Sequence, residues 1–216
     1  MTEMIRFENV DFSYGKKVIL KNFSMNVGEG ERVCLYGPSG QGKTTIIKMV
    51  CGLLKADSGT LYVGSSDFRP VFQEDRLLPF LTVRENIAMF SEGRDTRVPS
   101  GRDTCVPSGR DTCGSADHDV SGLIGRLGLE EVIDLKPARL SGGLARRAAL
   151  ARALAAPGDI YLLDEPFAGL DETNISNAID LINEITAGKT FVCALHNKTE
   201  ALRLGCRIED ITRGLR

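Results

Sequence analysis

The chain has 216 residues, enough for one domain with a substantial buried core. Its 27 basic and 29 acidic residues give a formal net charge of −2, so no global positive field indicates a nucleic-acid partner. The N-terminus lacks the apolar core of a secretory signal, and no segment approaches the ~20 apolar residues that cross a bilayer, so we expect a cytoplasmic chain.

Short apolar runs rich in β-branched residues are separated by helical patterns, which predicts an α/β fold with parallel strands covered by helices. In open α/β sheets, ligands bind outside the carboxyl ends of the strands. Four of these runs end in glycine or polar residues, so we expect the four endings to form one site. The runs are Arg32–Tyr36, Pro70–Phe72, Ile160–Leu163 and Thr190–Leu195.

A glycine-rich segment follows the first run and precedes a helical pattern. It matches Gly-x-x-x-x-Gly-Lys-[Ser/Thr], a phosphate-binding loop whose backbone N–H groups turn toward phosphate oxygens. Lys43 would reach the β- and γ-phosphates, and the Thr44 hydroxyl would bind Mg²⁺. An ordinary glycine-rich turn before a helix is the alternative. The predicted phosphate-binding residues are Gly37, Pro38, Ser39, Gly40, Gln41, Gly42, Lys43, Thr44 and Thr45.

The middle of the chain contains three recognisable segments. A cluster of large apolar residues at 77–81, broken by Pro79, predicts either a docking surface or local packing beneath a helix that starts near Thr82. An eight-residue tandem repeat of the type Gly-Arg-Asp-Thr-x-Val-Pro-Ser lies within residues 93–119, and its polar composition predicts a mobile surface loop. Residues 123–132 predict an amphipathic helix.

A second helix with an exposed phosphate-binding end is predicted at Leu140-Ser-Gly-Gly143. The following residues, 144–156, are strong helix formers, and Pro157 with Gly158 stops them. Ser141 is a good N-cap, so simple capping is one interpretation. The two glycines also leave bare N–H groups at the positive end of the helix dipole, which suits an anion. One nucleotide cannot easily explain two such helix ends in one chain.

Two adjacent carboxylates follow the third run. Asp164 suits an outer ligand of the Mg²⁺ that Thr44 holds, and Glu165 suits the general base that orients water toward the γ-phosphate. A helix N-cap at the end of a strand is the alternative. The pair gains weight because a phosphate-binding loop precedes it in the same chain.

The order of these motifs resembles that of the ABC ATPase family over nearly the whole chain. Tyr14 resembles the aromatic residue that stacks on adenine, and Gln73 resembles the Q-loop glutamine. Asp171, in Ala168-Gly-Leu-Asp171, resembles the D-loop aspartate, and His196 resembles the switch histidine. The remaining matches are Gly37–Thr45 to the Walker A loop, Leu140–Gly143 to the family signature and Ile160–Glu165 to Walker B.

The resemblance implies an α/β fold of the P-loop NTPase class and ABC type: a mixed sheet with a core of parallel strands flanked by helices, a small antiparallel β region and an inserted helical lobe. Residues 1–216 would form one ABC ATPase domain, with a nucleotide-binding core at 1–73 and 140–216. The lobe would span 74–139 and carry the repeat insert at about 93–119.

The resemblance also implies ATP and Mg²⁺ as ligands and a head-to-tail homodimer that closes on ATP. Ser141, Gly142 and Gly143 of one copy would cap the γ-phosphate held by Lys43 of the other, with Asp171 at the dimer seam. Gln73 would help to bind Mg²⁺, and His196 would contact the γ-phosphate. Glu165, His196 and Gln73 are therefore the expected catalytic residues, and Thr44, Gln73 and Asp164 the expected metal ligands.

We expect an ATPase subunit of an importer that lies on the inner face of the cell membrane and binds separate membrane-spanning subunits, with a solute-binding protein at the level of the complex. Residues 76–86 and 200–208 resemble ATPases that serve nitrate, sulfonate and taurine uptake. Two departures from the family pattern are Leu144, where glutamine is common, and Asn197, where aspartate is frequent. The alternatives are an ABC ATPase acting on ribosomes or DNA and a small-molecule kinase.

Overall fold

A computed structural model describes residues 2–89 and 120–211 of the chain. At its centre is a five-stranded sheet in which every pair of neighbouring strands is parallel. Its strands are β3 (Arg32–Tyr36), β5 (Phe68–Val71), β6 (Ile160–Asp164), β7 (Thr190–Leu195) and β8 (Arg207–Asp210). They follow the order β5-β6-β7-β3-β8, and Pro70 is tolerated because β5 is an edge strand.

The central strands of this sheet are buried on both faces, which explains why they appear in the sequence as continuous apolar runs. All the residues of β6 and β7 are buried. Successive side chains alternate between two cores: Ile160 and Leu162 enter one, and Tyr161 and Leu163 enter the other.

A second sheet of three antiparallel strands covers one of these cores. It consists of β1 (Glu3–Tyr14), β2 (Lys17–Gly28) and β4 (Ser58–Val63), in the order β2-β1-β4. The predicted fold class, parallel strands flanked by helices with a small antiparallel region, is confirmed. The parallel and antiparallel pairings are divided between the two sheets.

Helices cover both faces of the parallel sheet. Buried residues of α1 (Lys43–Val50) share a core with the antiparallel sheet. The other core receives the remaining helices: α2 (Val83–Ala88), α3 (Val120–Arg126), α4 (Gly142–Leu154), α5 (Glu172–Ile185) and α6 (Lys198–Arg203). The helical segment between the second and third apolar runs therefore packs against the same core as the sheet.

The prediction of one helix over residues 123–132 is wrong. The helix α3 ends at Arg126, and a separate 3₁₀ turn spans Glu130–Val132. Gly128 lies between them with φ +59°, a left-handed conformation that ends an α-helix.

Residues 77–81 are organised by one fully buried side chain, Asn86. Its Oδ1 accepts a hydrogen bond from the Leu78 backbone (2.8 Å), and its Nδ2 donates to the carbonyls of Leu78 (3.2 Å) and Thr82 (2.9 Å). Leu77 packs on the helical core, whereas Phe80 is 66% exposed. Local packing is therefore found at Leu77, and docking through the exposed Phe80 stays a prediction.

Two expectations from the sequence concern membrane insertion and the tandem repeat. Within residues 2–89 and 120–211, no helix is both long and apolar enough to cross a membrane. The repeat at 93–119 lies outside the described residues.

Candidate functional site

The phosphate-binding loop connects β3 to α1 at the carboxyl edge of the parallel sheet. Gly42 is the N-cap of α1 and adopts φ +96°, a conformation that L side chains rarely take. A Cβ atom at this position would lie 2.9 Å from Ile19 Cγ2 and 3.1 Å from Leu20 Cδ2. The second glycine of the motif is therefore required by both backbone conformation and packing under β2.

Lys43 is buried at the first position of α1, and its amine points back into the loop. Its Nζ donates to the carbonyl oxygens of Gly37 (2.6 Å) and Pro38 (3.0 Å). Burial lowers the pKa of the Lys43 amine, while the nearby carboxylates of Glu165 and Asp164 raise it. The loop thus holds a cation that can exchange two carbonyl contacts for phosphate oxygens.

A half-open cleft of about 280 Å³ lies over this loop. The predicted site residues that line it are Tyr14, Ser39, Gly40, Gly42, Lys43, Thr44, Thr45, Gln73 and Glu165. Tyr14 is 47% exposed at the end of β1 and meets the ring of Phe12 edge-on. An exposed aromatic ring at one end and a glycine-bent loop at the other suit the base and the phosphates of one nucleotide.

Lys17 also lines the cleft, although sequence analysis did not select it. It pairs with Tyr14 across the β1–β2 hairpin and shares a strand face with Ile19. Since Ile19 meets the loop at Gly42, Lys17 lies one side-chain repeat further toward Tyr14, about 7 Å along the strand. A lone lysine in a hairpin matches no motif. Only the register of β1 and β2 shows that Lys17 lies between the Tyr14 ring and the phosphate loop.

Asp164 is fully buried at the end of β6, and among the described residues neither of its carboxylate oxygens has a donor within hydrogen-bonding distance. Burial raises the pKa of this carboxyl group; the Thr44 hydroxyl and the amines of Lys43 and Lys48 lower it, but less. Buried polar groups are normally paired, so an orphaned carboxylate beside a hydroxyl in a phosphate site fits a hard divalent cation. Asp164 and Thr44 together meet the chemical requirements of a magnesium site.

Glu165 and His196 are in direct contact, with 2.5 Å between Glu165 Oε1 and His196 Nε2. They extend from neighbouring parallel strands, and the backbone N–H of Glu165 donates to Ala194 in β7. Glu165 has φ +49°, an uncommon conformation for a non-glycine residue that concentrates at functional sites. The four predicted strand endings therefore lie at one edge of one sheet.

The signature residues lie outside the cleft over the phosphate loop. Ser141 is the N-cap of α4, and its hydroxyl accepts a hydrogen bond from the Leu144 backbone (3.3 Å). Ser141 and Gly142 are exposed, and none of the residues 141–143 lines the cleft over the loop. A Cβ atom at Gly143 would lie 3.3 Å from the carbonyl oxygen of Gly169, so the signature packs against the segment before Asp171.

Asp171 is the N-cap of α5. Its carboxylate accepts hydrogen bonds from the backbone (2.9 Å) and the side chain (2.7 Å) of Asn174, and the backbone bond lowers its pKa. Within one copy of the chain, Ser141, Gly142, Gly143 and Asp171 are thus not brought to the cleft that the other predicted residues form.

The fold and the cleft define a P-loop nucleotide-binding domain. The family profile described as ABC transporter matches residues 20–168. The aliphatic sulfonates import ATP-binding protein SsuB 2 of Burkholderia cenocepacia is 34% identical over 204 residues, covering 90% of this chain and 68% of that protein. The nitrate import ATP-binding protein NrtC of Synechocystis is 33% identical over 230 residues, covering 99% of this chain and 32% of that protein.

Two solved structures of an ABC transporter cassette are similar to this chain. The dimeric structure of MJ0796, a bacterial ABC transporter cassette, matches with a TM-score of 0.73 and 28% identity, covering 93% of this chain and 91% of that one. A post-hydrolysis state of the same cassette, bound to ADP and Pi, matches with a TM-score of 0.71 and 27% identity.

The chain belongs to the ABC transporter family. It is an ATP-binding and ATP-hydrolysing subunit of such a transporter, as the sequence predicted, and the resemblance to sulfonate and nitrate import subunits is confirmed. These relatives give no support to the alternative of an ABC ATPase acting on ribosomes or DNA.

Proposed function

We propose that the cleft over the phosphate loop hydrolyses ATP together with Mg²⁺. The observation that supports this most directly is the buried Asp164 carboxylate, which has no hydrogen-bond donor within bonding distance in the described part of the chain and lies near the Thr44 hydroxyl and the Lys43 amine. Thr44, Asp164 and the exposed Gln73 side chain would hold Mg²⁺, and this ion would neutralise charge on the phosphates when bound. Tyr14 would stack on adenine, and residues 37–45 would surround the phosphates.

Glu165 is the proposed general base. Its carboxylate accepts a proton from the water molecule whose oxygen forms a bond to the γ-phosphorus, and the bond from that phosphorus to the bridging oxygen of ADP breaks. His196 holds the Glu165 carboxylate by direct contact and would contact the γ-phosphate. Lys43 releases its two loop carbonyls and contacts the β- and γ-phosphates.

The complete site would contain two copies of the chain. Ser141, Gly142 and Gly143 form an exposed helix N-terminus that no phosphate in its own cleft can use, so it is available to cap the γ-phosphate bound by a second copy. Asp171 would lie at the seam, because the segment before it packs on Gly143. The dimeric structures of the MJ0796 cassette support dimerisation.

At the level of the complex, the chain would be the motor of an importer. Relatives at 31–34% identity are named as import subunits for sulfonates, nitrate, Fe(3+) and spermidine or putrescine, so the proposal concerns import and no single solute. The chain would bind separate membrane-spanning subunits on the cytoplasmic face of the membrane. A solute-binding protein would deliver the solute from the other side.

The central test is ATP-dependent dimerisation of the Glu165→Gln variant, which should bind ATP without hydrolysing it. Light scattering should show a dimer only with ATP and Mg²⁺, and hydrolysis should fall on the order of 10³-fold. The control is Glu131→Gln, an exposed carboxylate on the 3₁₀ turn, which should hydrolyse ATP normally. A Glu165→Gln variant that stays monomeric with ATP bound, or a wild type that phosphorylates an added acceptor, would contradict the proposal.

Import would be tested with the membrane-spanning subunit that co-purifies with the chain. Reconstituted together in vesicles, the two should move solute toward the side that carries the ATPase, and only when ATP is supplied on that side. Solute movement away from that side, or transport that persists with Glu165→Gln, would contradict the assignment.

A further inference from the structure

Two arginines of α4 hold the segment 72–76 by its backbone. Arg146 donates to the carbonyl oxygen of Phe72 (2.7 Å) and to that of Gln73, and its guanidinium lies 3.2 Å from the Asp75 carboxylate. Arg152 donates to the carbonyl oxygens of Asp75 (3.1 Å) and Arg76 (2.7 Å). The two side chains thus bind four of the five backbone carbonyls in this segment, which has no regular secondary structure.

Arg146 is unusual because its side chain is only 7% exposed. Hydrogen bonds from a charged donor are strong, and breaking these two leaves partly buried carbonyl groups without their protein donor. Because the acceptors are backbone atoms, the contact fixes the path of the main chain at Gln73. The Gln73 side chain remains exposed and lines the cleft.

The same helix begins at the signature. Arg146 is five residues after Ser141, which corresponds to about 7.5 Å along a helix. Ser141 and Arg146 belong to one continuous helix, whose body packs into the helical core through Ala148, Leu150 and Leu154. A displacement of the N-terminus of α4 would therefore be passed to the backbone of Gln73 through a hydrogen-bonded contact.

We propose that Arg146 is a positioning residue that couples the two nucleotide sites of the dimer. Ser141 of a chain caps the nucleotide of the partner, whereas Gln73 of that chain faces its own nucleotide, and Arg146 connects the two within one chain. Arg152 secures the far end of the same segment. This inference rests on the proposed function, since it requires a dimer with shared sites.

A purely structural role predicts a different outcome, and the neighbouring residue provides the comparison. Arg147 lies on the same helix and also donates to two backbone carbonyls, those of Leu127 (2.5 Å) and Gly128 (3.2 Å). These carbonyls belong to the turn after α3 and are remote in sequence from Gln73. The variants Arg146→Met and Arg147→Met keep the aliphatic stem and remove the same kind of contact.

The chain contains no tryptophan, so Phe72→Trp introduces a single fluorophore next to Gln73. In the full-length chain with Glu165→Gln, ATP and Mg²⁺ are titrated while tryptophan emission and light scattering are recorded together. A Ser141→Arg variant, which cannot cap a partner, defines the emission change due to nucleotide bound in one copy. The further change that accompanies dimer formation is the coupled signal.

With Arg146→Met we expect dimers to form while at least ~80% of the coupled signal is lost, whereas Arg147→Met should keep it. Loss of the dimer in Arg146→Met alone, with ATP affinity within about threefold of the parent, would also support the coupling because linkage is reciprocal. A full signal in Arg146→Met, or equal losses in the two variants, would overturn the inference. Absence of ATP-dependent dimers in the parent would instead refute the proposed function, and the inference with it.

Discussion

Gly42, the glycine directly before Lys43 in the phosphate loop, allows a test in which backbone strain and steric contact can be separated. Replacing Gly42 by alanine places a side chain at φ +96°, which costs about 1–2 kcal/mol. The new Cβ would also lie 2.9 Å from Ile19 Cγ2 and 3.1 Å from Leu20 Cδ2, and overpacking of this kind costs about 1–3 kcal/mol. The expected loss of unfolding free energy is about 2–5 kcal/mol.

Gly40 is the matched control. It has φ +81°, but a Cβ atom there would meet nothing within 4 Å. Gly40→Ala should therefore cost only the backbone term, about 1–2 kcal/mol. The difference between the two variants, about 1–3 kcal/mol, should appear as a melting temperature about 2–12 °C lower for Gly42→Ala than for Gly40→Ala.

The assay is thermal unfolding without nucleotide, followed by ATP binding at a temperature at which both variants are folded. Gly42→Ala should also weaken ATP binding, because β2 and α1 must separate around the added methyl group and Lys43 moves with α1. Equal melting temperatures for the two variants would refute the argument that contact with Ile19 and Leu20 dictates the glycine.

Three further predictions concern single side chains. Asp164→Asn should stabilise the chain in the absence of ligands by about 1–3 kcal/mol in urea unfolding, since it removes a buried charge that the Thr44 hydroxyl and the lysine amines compensate only in part. Hydrolysis should fall on the order of 100-fold, and unchanged stability would contradict the prediction. Lys17→Ala should weaken ATP and ADP binding about fivefold in calorimetry, because Lys17 lines the cleft. The adjacent Lys16→Ala should leave binding unchanged, and equal effects of the two variants would exclude a specific contact of Lys17. Thr82→Ala should lower the melting temperature by about 2–4 °C because it removes the N-cap of α2. Thr82→Ser keeps the capping hydroxyl and should keep the melting temperature. A lower melting temperature in both variants would indicate that packing of the Thr82 methyl group is responsible.

The strands that carry the chemistry were the most predictable part of the fold. The boundaries of β3 and β7 agree with the predicted runs, and the run at Ile160 is extended only by Asp164. The run at Pro70–Phe72 fits less well, because β5 spans Phe68–Val71. These segments are predictable because burial on both faces demands continuous apolar residues, and their ends are marked by the residues that bind ligands. The helix at 123–132 was predicted too long because apolar periodicity does not reveal a left-handed glycine at 128.

Three residues near the site match none of the predicted motifs. Lys17 lines the cleft, and Arg146 and Arg152 contact backbone carbonyls that are distant along the chain. Arginines that donate to backbone carbonyls leave no complementary residue type in the sequence, since every residue offers the same acceptor. Their function follows only from the path of the main chain beside α4.

The family, the phosphate loop, the adjacent carboxylates and the signature can all be recognised from residue order, because this chemistry depends on residue types at fixed short spacings. Which of these groups meet depends on the three-dimensional fold. Parallel pairing of β3, β6 and β7 places Glu165 against His196 and buries Asp164 with no donor within bonding distance among the described residues. The packing of α4 keeps Ser141 out of the cleft. These contacts join segments that are distant along the chain. The distances between such segments are set by the burial of apolar surface in the folded protein, and they cannot be derived from residue spacing.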